Sequence, residues 1–189
     1  MLDALMNLVR QHAGEAVTNN PAIPTNQNEN AMQAISGGIL GGLQQQAQGP
    51  NLGSLIGMFT GQGGGNVQQS PVTQGVQQNV QQSLMERLGI SPQVAMTIAT
   101  AVVPMILSKL AHKAQDPNDH SINQNEVLNT ATGQSGLDWS SLASSAMADG
   151  KLDMNDLMRV AGNFMGGGGS SQQSSGGLGG MLGGLFGGK

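Results

Sequence analysis

The chain has 189 residues, enough for one domain that buries about two-thirds of its unfolded surface, with no cysteine, no tyrosine, one tryptophan and three phenylalanines. The missing cysteines exclude a disulfide framework, a thiol nucleophile and thiolate metal sites. A net charge of −4, with only 10% charged residues and seven scattered basic ones, excludes a general phosphate-backbone binder, which needs clustered cations.

From the N-terminus, Leu2, Leu5, Met6, Val9, Ala13, Ala16 and Val17 share one face at helical spacing, and Asn19 to Pro24 ends that helix. Asp3 and Arg10 interrupt what a secretory signal would need, so none is expected and the cytoplasm is the expected compartment. Export by a route without an N-terminal signal stays open. Thr25 is the expected N-cap of a second helix over about 27–47, with Met32, Ile35, Ile39 and Leu43 inward. Gly37, Gly38, Gly41 and Gly42 each weaken such a helix by about 1 kcal/mol relative to Ala. They make sense where another backbone packs against them. A short helix follows Pro50, with Leu52, Leu55, Ile56 and Phe59 inward, and Gly61 to Gly65 reads as a linker.

Ser70-Pro71 and Ser91-Pro92 then each offer a capping hydroxyl followed by proline at the first helical position. Between them Val72, Val76, Val80, Leu84 and Leu88 recur at every fourth residue, and Gly89 closes the helix. The next helix, about 92–113, is apolar nearly all round from Val94 to Leu107, and Pro104 should kink it. Its apolar run is shorter than the roughly 20 residues a bilayer requires, so a buried core helix is expected. Ser121 and Gln124 form a candidate capping box for a short helix through Thr130. Asp138 caps a further helix near Trp139, and a last one covers Met154 to Met165.

The chain is internally duplicated. Ala31 to Leu43 runs in register with Ile98 to Leu110, so that Ala34 meets Ala101, Ile35 meets Val102, Ile39 meets Ile106 and Leu43 meets Leu110. Each copy follows an amphipathic stretch (2–17, 72–88) and precedes a shorter one ending in glycine (52–61, 125–133). A doubled supersecondary unit implies that the copies pack on each other. The expected fold is all-α: a compact multi-helix bundle over 1–165, made of repeat one (about 1–61), repeat two (about 70–133) and a helical hairpin (138–165). A disordered Gly/Ser/Gln-rich tail, 166–189, follows. Leu178, Met181, Leu182, Leu185 and Phe186 in that tail fall at helical spacing, with glycine elsewhere.

The opening Met1-Leu-Asp-Ala-Leu-Met-Asn-Leu-Val9, the link Asn19-Asn-Pro-Ala-Ile-Pro24 and the doubled Ala- and Gly-rich helices resemble the bacterial domain of unknown function 937 family. Ser70-Pro-Val-Thr-Gln74 and Ala114-Gln-Asp-Pro-Asn-Asp119 are similar to its members from Bacteroidota-type bacteria. The resemblance covers roughly 1–165. It implies an all-helical bundle and brings no activity, cofactor, partner or site residue.

Chemistry-bearing motifs are sparse. Asp149-Gly-Lys-Leu-Asp-Met-Asn-Asp156 resembles the second half of a calcium-binding EF-hand loop, with Asp149, Asp153 and Asp156 at positions five, nine and twelve. That register puts Ser145 and Met147 at positions one and three, where oxygen ligands are needed, and the bidentate Glu at twelve is missing. The competing reading is a helix start: Asp153 as N-cap, Asp156 at N3, and Leu152 with Leu157 as a hydrophobic staple. His12, His112 and His120 lack ligand spacing, Ser144 and Ser145 lack a nucleophile elbow, and Gly61 to Gly65 lacks the Lys-Ser/Thr of a phosphate loop. The expectation is therefore no catalytic residue, no cofactor and no metal, in a protein that acts by contact with itself or another protein. Nucleic acid is not an expected partner, and a membrane surface is a less favoured one.

Calorimetry at micromolar protein is expected to show no calcium binding in the sensor range of about 0.1–10 μM. A constant inside that range would reinstate Asp149, Asp153 and Asp156 as ligands.

Overall fold

The computed structural model describes residues 2–61, 66–119, 121–134, 138–141 and 144. Among them lie six α-helices and no strand: α1 (Leu2–Thr18), α2 (Asn28–Gln48), α3 (Leu52–Thr60), α4 (Pro71–Leu88), α5 (Pro92–Gln115) and α6 (Gln124–Thr132). Short 3-10 turns, Thr25–Gln27 and Val67–Gln69, lead into α2 and α4. The helical hairpin lies almost wholly outside the described residues, as do its 154–165 helix and the 166–189 tail.

Local chemistry explains the helix ends. Ser70 Oγ accepts the Val72 N–H at 3.2 Å, Ser91 Oγ accepts the Val94 N–H at 3.5 Å, and Pro71 and Pro92 follow these caps. Gly61, Gly89 and Gly133 stop α3, α4 and α6 at positive φ, where any side chain would be strained. Two expected caps are corrected. Thr25 opens the 3-10 turn instead of α2, whose N-cap is Gln27 with no side-chain bond. The cap of α6 is Asn123, whose Oδ1 accepts the Glu126 N–H at 2.8 Å; Ser121 instead bonds Asp119. Asn123 lies one turn before Glu126, the geometry a capping acceptor needs.

The two repeats pack on each other in matching roles within one bundle. Within each, the first helix packs on the second: α1 on α2, and α4 on α5. Across them the first helix of each covers the second of the other, α4 on α2 and α1 on α5. The short helices also cross over, α6 against α2 and α3 against α5. Exchanging α1–α3 with α4–α6 thus maps every one of these contacts onto another that is present. Glutamines tie the crossed ends: Gln115 Nε2 of α5 donates to the Met58 carbonyl of α3 at 3.1 Å, and Gln44 Nε2 of α2 donates to the Thr130 carbonyl of α6 at 3.4 Å. The shared core gathers Leu5, Val9, Ile35, Ile39, Leu43, Phe59, Val76, Val80, Leu84, Ile106 and Leu110, all fully buried.

The closest approach is between α2 and α4. A Cβ built on Gly38 would sit 2.7 Å from the Val80 Cα, and one on Gly42 would sit 2.8 Å from the Val76 Cα. These helices therefore touch backbone to backbone, antiparallel, with the valine methyls beside the glycines. Gly37 is different: it faces solvent, and an added Cβ meets nothing within 4 Å.

Pro104 lies inside α5, which continues through it. The expectation of burial all round this helix is corrected. Ile98, Val102, Ile106 and Leu110 are buried, while Met96, Thr97, Thr100, Ala101 and Met105 are exposed. Among the described residues α1, α4, α3, α6 and the Val67–Gln69 turn pack on α5, and its outer side stays exposed.

Two alanine substitutions separate these glycine roles. Gly38→Ala should lower stability by about 1–2 kcal/mol, because forcing α4 outward outweighs the gain in helix propensity. Gly37→Ala should raise it by up to about 1 kcal/mol. Urea denaturation followed by circular dichroism reads both, and equal shifts would contradict the close approach.

Candidate interaction surface

The polar groups that most resemble a site lie at the turn after α5. A cleft of about 320 Å³ there is bordered by Gln115, Asp116, Asp119, Asn123, Asn125 and Ser140, among others. Its carboxylates serve the turn itself. Asp116 Oδ1 accepts the Asn118 N–H at 2.9 Å. Asp119 pairs with the Lys113 ammonium and accepts from the Ser121 hydroxyl and N–H. The Lys113 bond foremost, and then those from Ser121, hold the Asp119 carboxyl well below the usual carboxylate range. Such a carboxylate is a poor proton acceptor and has few lone pairs left for a metal.

Trp139 closes the other side of this region. Its ring is buried, its indole N–H donates to Asn129 Oδ1 at 2.7 Å, and its backbone N–H donates to Asn125 Oδ1 at 3.0 Å. The segment after α6 is thereby fastened to α6. Asp138 caps the helical residues that follow, accepting from the hydroxyls and backbone N–H groups of Ser140 and Ser141. This is the capping role expected of it. Hydrogen bonds from the Ser140 hydroxyl, then the Ser141 hydroxyl, lower its carboxyl to about 2.

The other candidates do not converge on chemistry. Ser144 Oγ donates to the Ser140 carbonyl at 2.8 Å. His12 lies on α1 and His112 near the end of α5, with His120 outside the described residues. Among the described residues no three His, Cys, Asp or Glu side chains gather closely enough to hold a metal ion. The possible calcium ligands Asp149, Asp153 and Asp156 lie outside the described residues.

What the described residues do present is the outer face of α5. Met96 and Met105 are 47% and 41% exposed, two of the three large apolar side chains left open among the described residues. Between them lie Thr97, Thr100, Ala101 and the half-buried Pro104. The Thr97 and Thr100 hydroxyls donate back to the Gln93 and Met96 carbonyls at 2.9 and 2.8 Å. With those hydroxyls satisfied inside the helix, little polar demand remains on this side. No charged residue interrupts the face until Lys109. The outer faces of the other long helices are polar by contrast, with Gln74, Gln78, Gln82 and Glu86 on α4 and Asp3, Asn7, Arg10 and Glu15 on α1.

Sequence reasoning missed this face because it read α5 as fully enclosed. The register of the duplication carried a signal for it. Gly38 and Gly42, which meet α4, correspond to Met105 and Lys109. A methionine and a lysine there rule out a second glycine seam.

Compared with known proteins, the chain matches no family model, no curated protein and no solved structure.

Acid titration tests the turn chemistry. Because the Asp138 carboxyl is lowered on folding, its contribution to stability is complete above the unfolded value of about 4. It is lost as pH falls through about 2. Trp139 fluorescence and the Asp138 carboxyl resonance should report protonation near pH 2, and a midpoint near 4 would contradict the cap.

Proposed function

We propose that this is a non-catalytic helical protein that acts by association, in the first place with copies of itself, through the outer face of α5. The observation that carries the reading is the uncharged face from Met96 to Met105, where among the described residues the outer faces of α1 and α4 bear Gln, Asn and charged side chains. The cleft carboxylates Asp116 and Asp119 are engaged in their turn and Asp138 in a cap, which supports a contact role over a catalytic one. Membership of the domain of unknown function 937 family is part of the same proposal and rests on the motifs quoted above.

The face is small. From Met96 to Met105 the helix advances about 14 Å, and a strip of that length falls far below the roughly 800 Å² per partner of a stable complex. The association is accordingly weak and concentration-dependent. α5 is also long and apolar enough to cross a membrane, but half of its most apolar window is buried in the bundle, as in the core helix of a soluble protein.

Sedimentation equilibrium of the full chain should give a weight-average mass that climbs between tens and hundreds of micromolar. Met105→Glu, which places a charge on the exposed face, should flatten the rise without changing the far-ultraviolet spectrum. A monomer throughout, or a rise indifferent to Met105→Glu, would sink the reading.

A further inference from the structure

The described heptad Gly37-Gly-Ile-Leu-Gly-Gly-Leu43 has a second copy near the end of the chain, Gly179-Gly-Met-Leu-Gly-Gly-Leu185, differing only where Met181 stands for Ile39. In α2 the first copy has a defined use. Gly38 and Gly42 let a neighbouring helix approach to backbone contact, while Ile39 and Leu43 are buried beside it. We propose that the second copy docks as a short helix on the exposed face of α5 within the same molecule. Gly180 and Gly184 would give close approach, with the apolar edge of Met181, Leu182 and Leu185 covering Met96, Ala101 and Met105.

Four observations favour this occupant. The chain leaves the described fold beside the right place: Ser140 borders the same cleft as Ala114 and Gln115 at the C-terminal end of α5. Met105 is ten residues from that end, about 15 Å along the axis. Of the stretch between 144 and 179, the Gly/Ser/Gln-rich part after the expected 154–165 helix alone spans about 20 Å as a random coil, more than that distance. Size agrees as well, because seven helical residues cover about 10 Å, which fits within the roughly 14 Å from Met96 to Met105. Charge agrees too: the face carries none from Gln93 to Ser108, and the chain carries none from Val160 onward until Lys189, so docking buries no charge. Lastly, a segment tethered to the same chain competes for the face with second molecules, so self-association of the full chain is only partial at tens to hundreds of micromolar and should strengthen when Leu182→Asp removes the competitor.

The inference rests on the same face of α5 as the reading above and adds its regulation. The C-terminal heptad is a built-in competitor that a partner must displace.

The absence of cysteine makes the test direct, since Ser174→Cys in the full chain gives a single attachment point for a nitroxide just ahead of the heptad. With the methionine methyls isotopically labelled, the Met96 and Met105 signals should lose most of their intensity to the spin label. Adding Leu182→Asp should restore them. A 1:1 mixture of spin-labelled, isotopically silent protein with isotope-labelled protein lacking the nitroxide should show no such loss. Unchanged Met96 and Met105 signals in the first sample, or equal loss in the mixture, would overturn docking within one molecule. The readout needs no oligomer, so a chain that stays monomeric would defeat self-association while leaving this inference to be decided on its own signals.

Discussion

The arrangement depends on the backbone contact between α2 and α4. Gly38 and Gly42 bring α2 onto the Val80 and Val76 Cα atoms, closer than any side chain at those positions would allow. That proximity sets where α4 lies, α4 sets where α5 lies, and α1 then bridges α2 and α5. The glycines weaken α2 as an isolated helix. They are retained at a site where van der Waals contact along two helices replaces what their side chains would have given. A core almost without aromatic rings suits this design, because valine, isoleucine, leucine and alanine interdigitate at short interhelical distances.

The fold was legible where one physical signal dominated. The valines of α4 recur at a period that leaves a single inward face, and Ser70-Pro71 and Ser91-Pro92 are caps whose chemistry is local, so their reading needed no tertiary knowledge. The starts of α2 and α6 were less legible because several small polar residues stand in a row before each. The backbone path, set by Ile23 and Ile122 entering the core, decides which of them lies one turn ahead of the helix. Thr25 and Ser121 had the right side chains in the wrong places. α5 misled for a different reason. Hydropathy measures what a residue tolerates and carries no record of how many neighbours are available, and among the described residues one side of α5 is exposed.

The candidate chemistry was legible mainly as scarcity. Carboxylates after α5 and after α6 are drawn into local hydrogen bonds: Asp119 to Lys113 and Ser121, Asp138 to Ser140 and Ser141. Amides take up structural work that charges perform in many helical proteins, as where Gln115 and Gln44 reach across to the last turns of α3 and α6. A neutral amide satisfies a helix-end carbonyl without the desolvation that an ammonium would suffer there. This explains how a bundle with so few charges closes its helix ends.

The exchange relation between α1–α3 and α4–α6 has a consequence for what each half could be by itself. One repeat alone would hold a long helix whose partner surface belongs to the other repeat, so it would be complete only as a pair of identical molecules about a dyad. Joined in one polypeptide, the two halves are free to differ. Gly38 and Gly42 close α2 on α4 to backbone contact, while the matching Met105 and Lys109 face outward, so α1 meets α5 along other residues. A true dyad forces both seams to be alike, whereas a single chain can hold one seam lined by glycine and one without it.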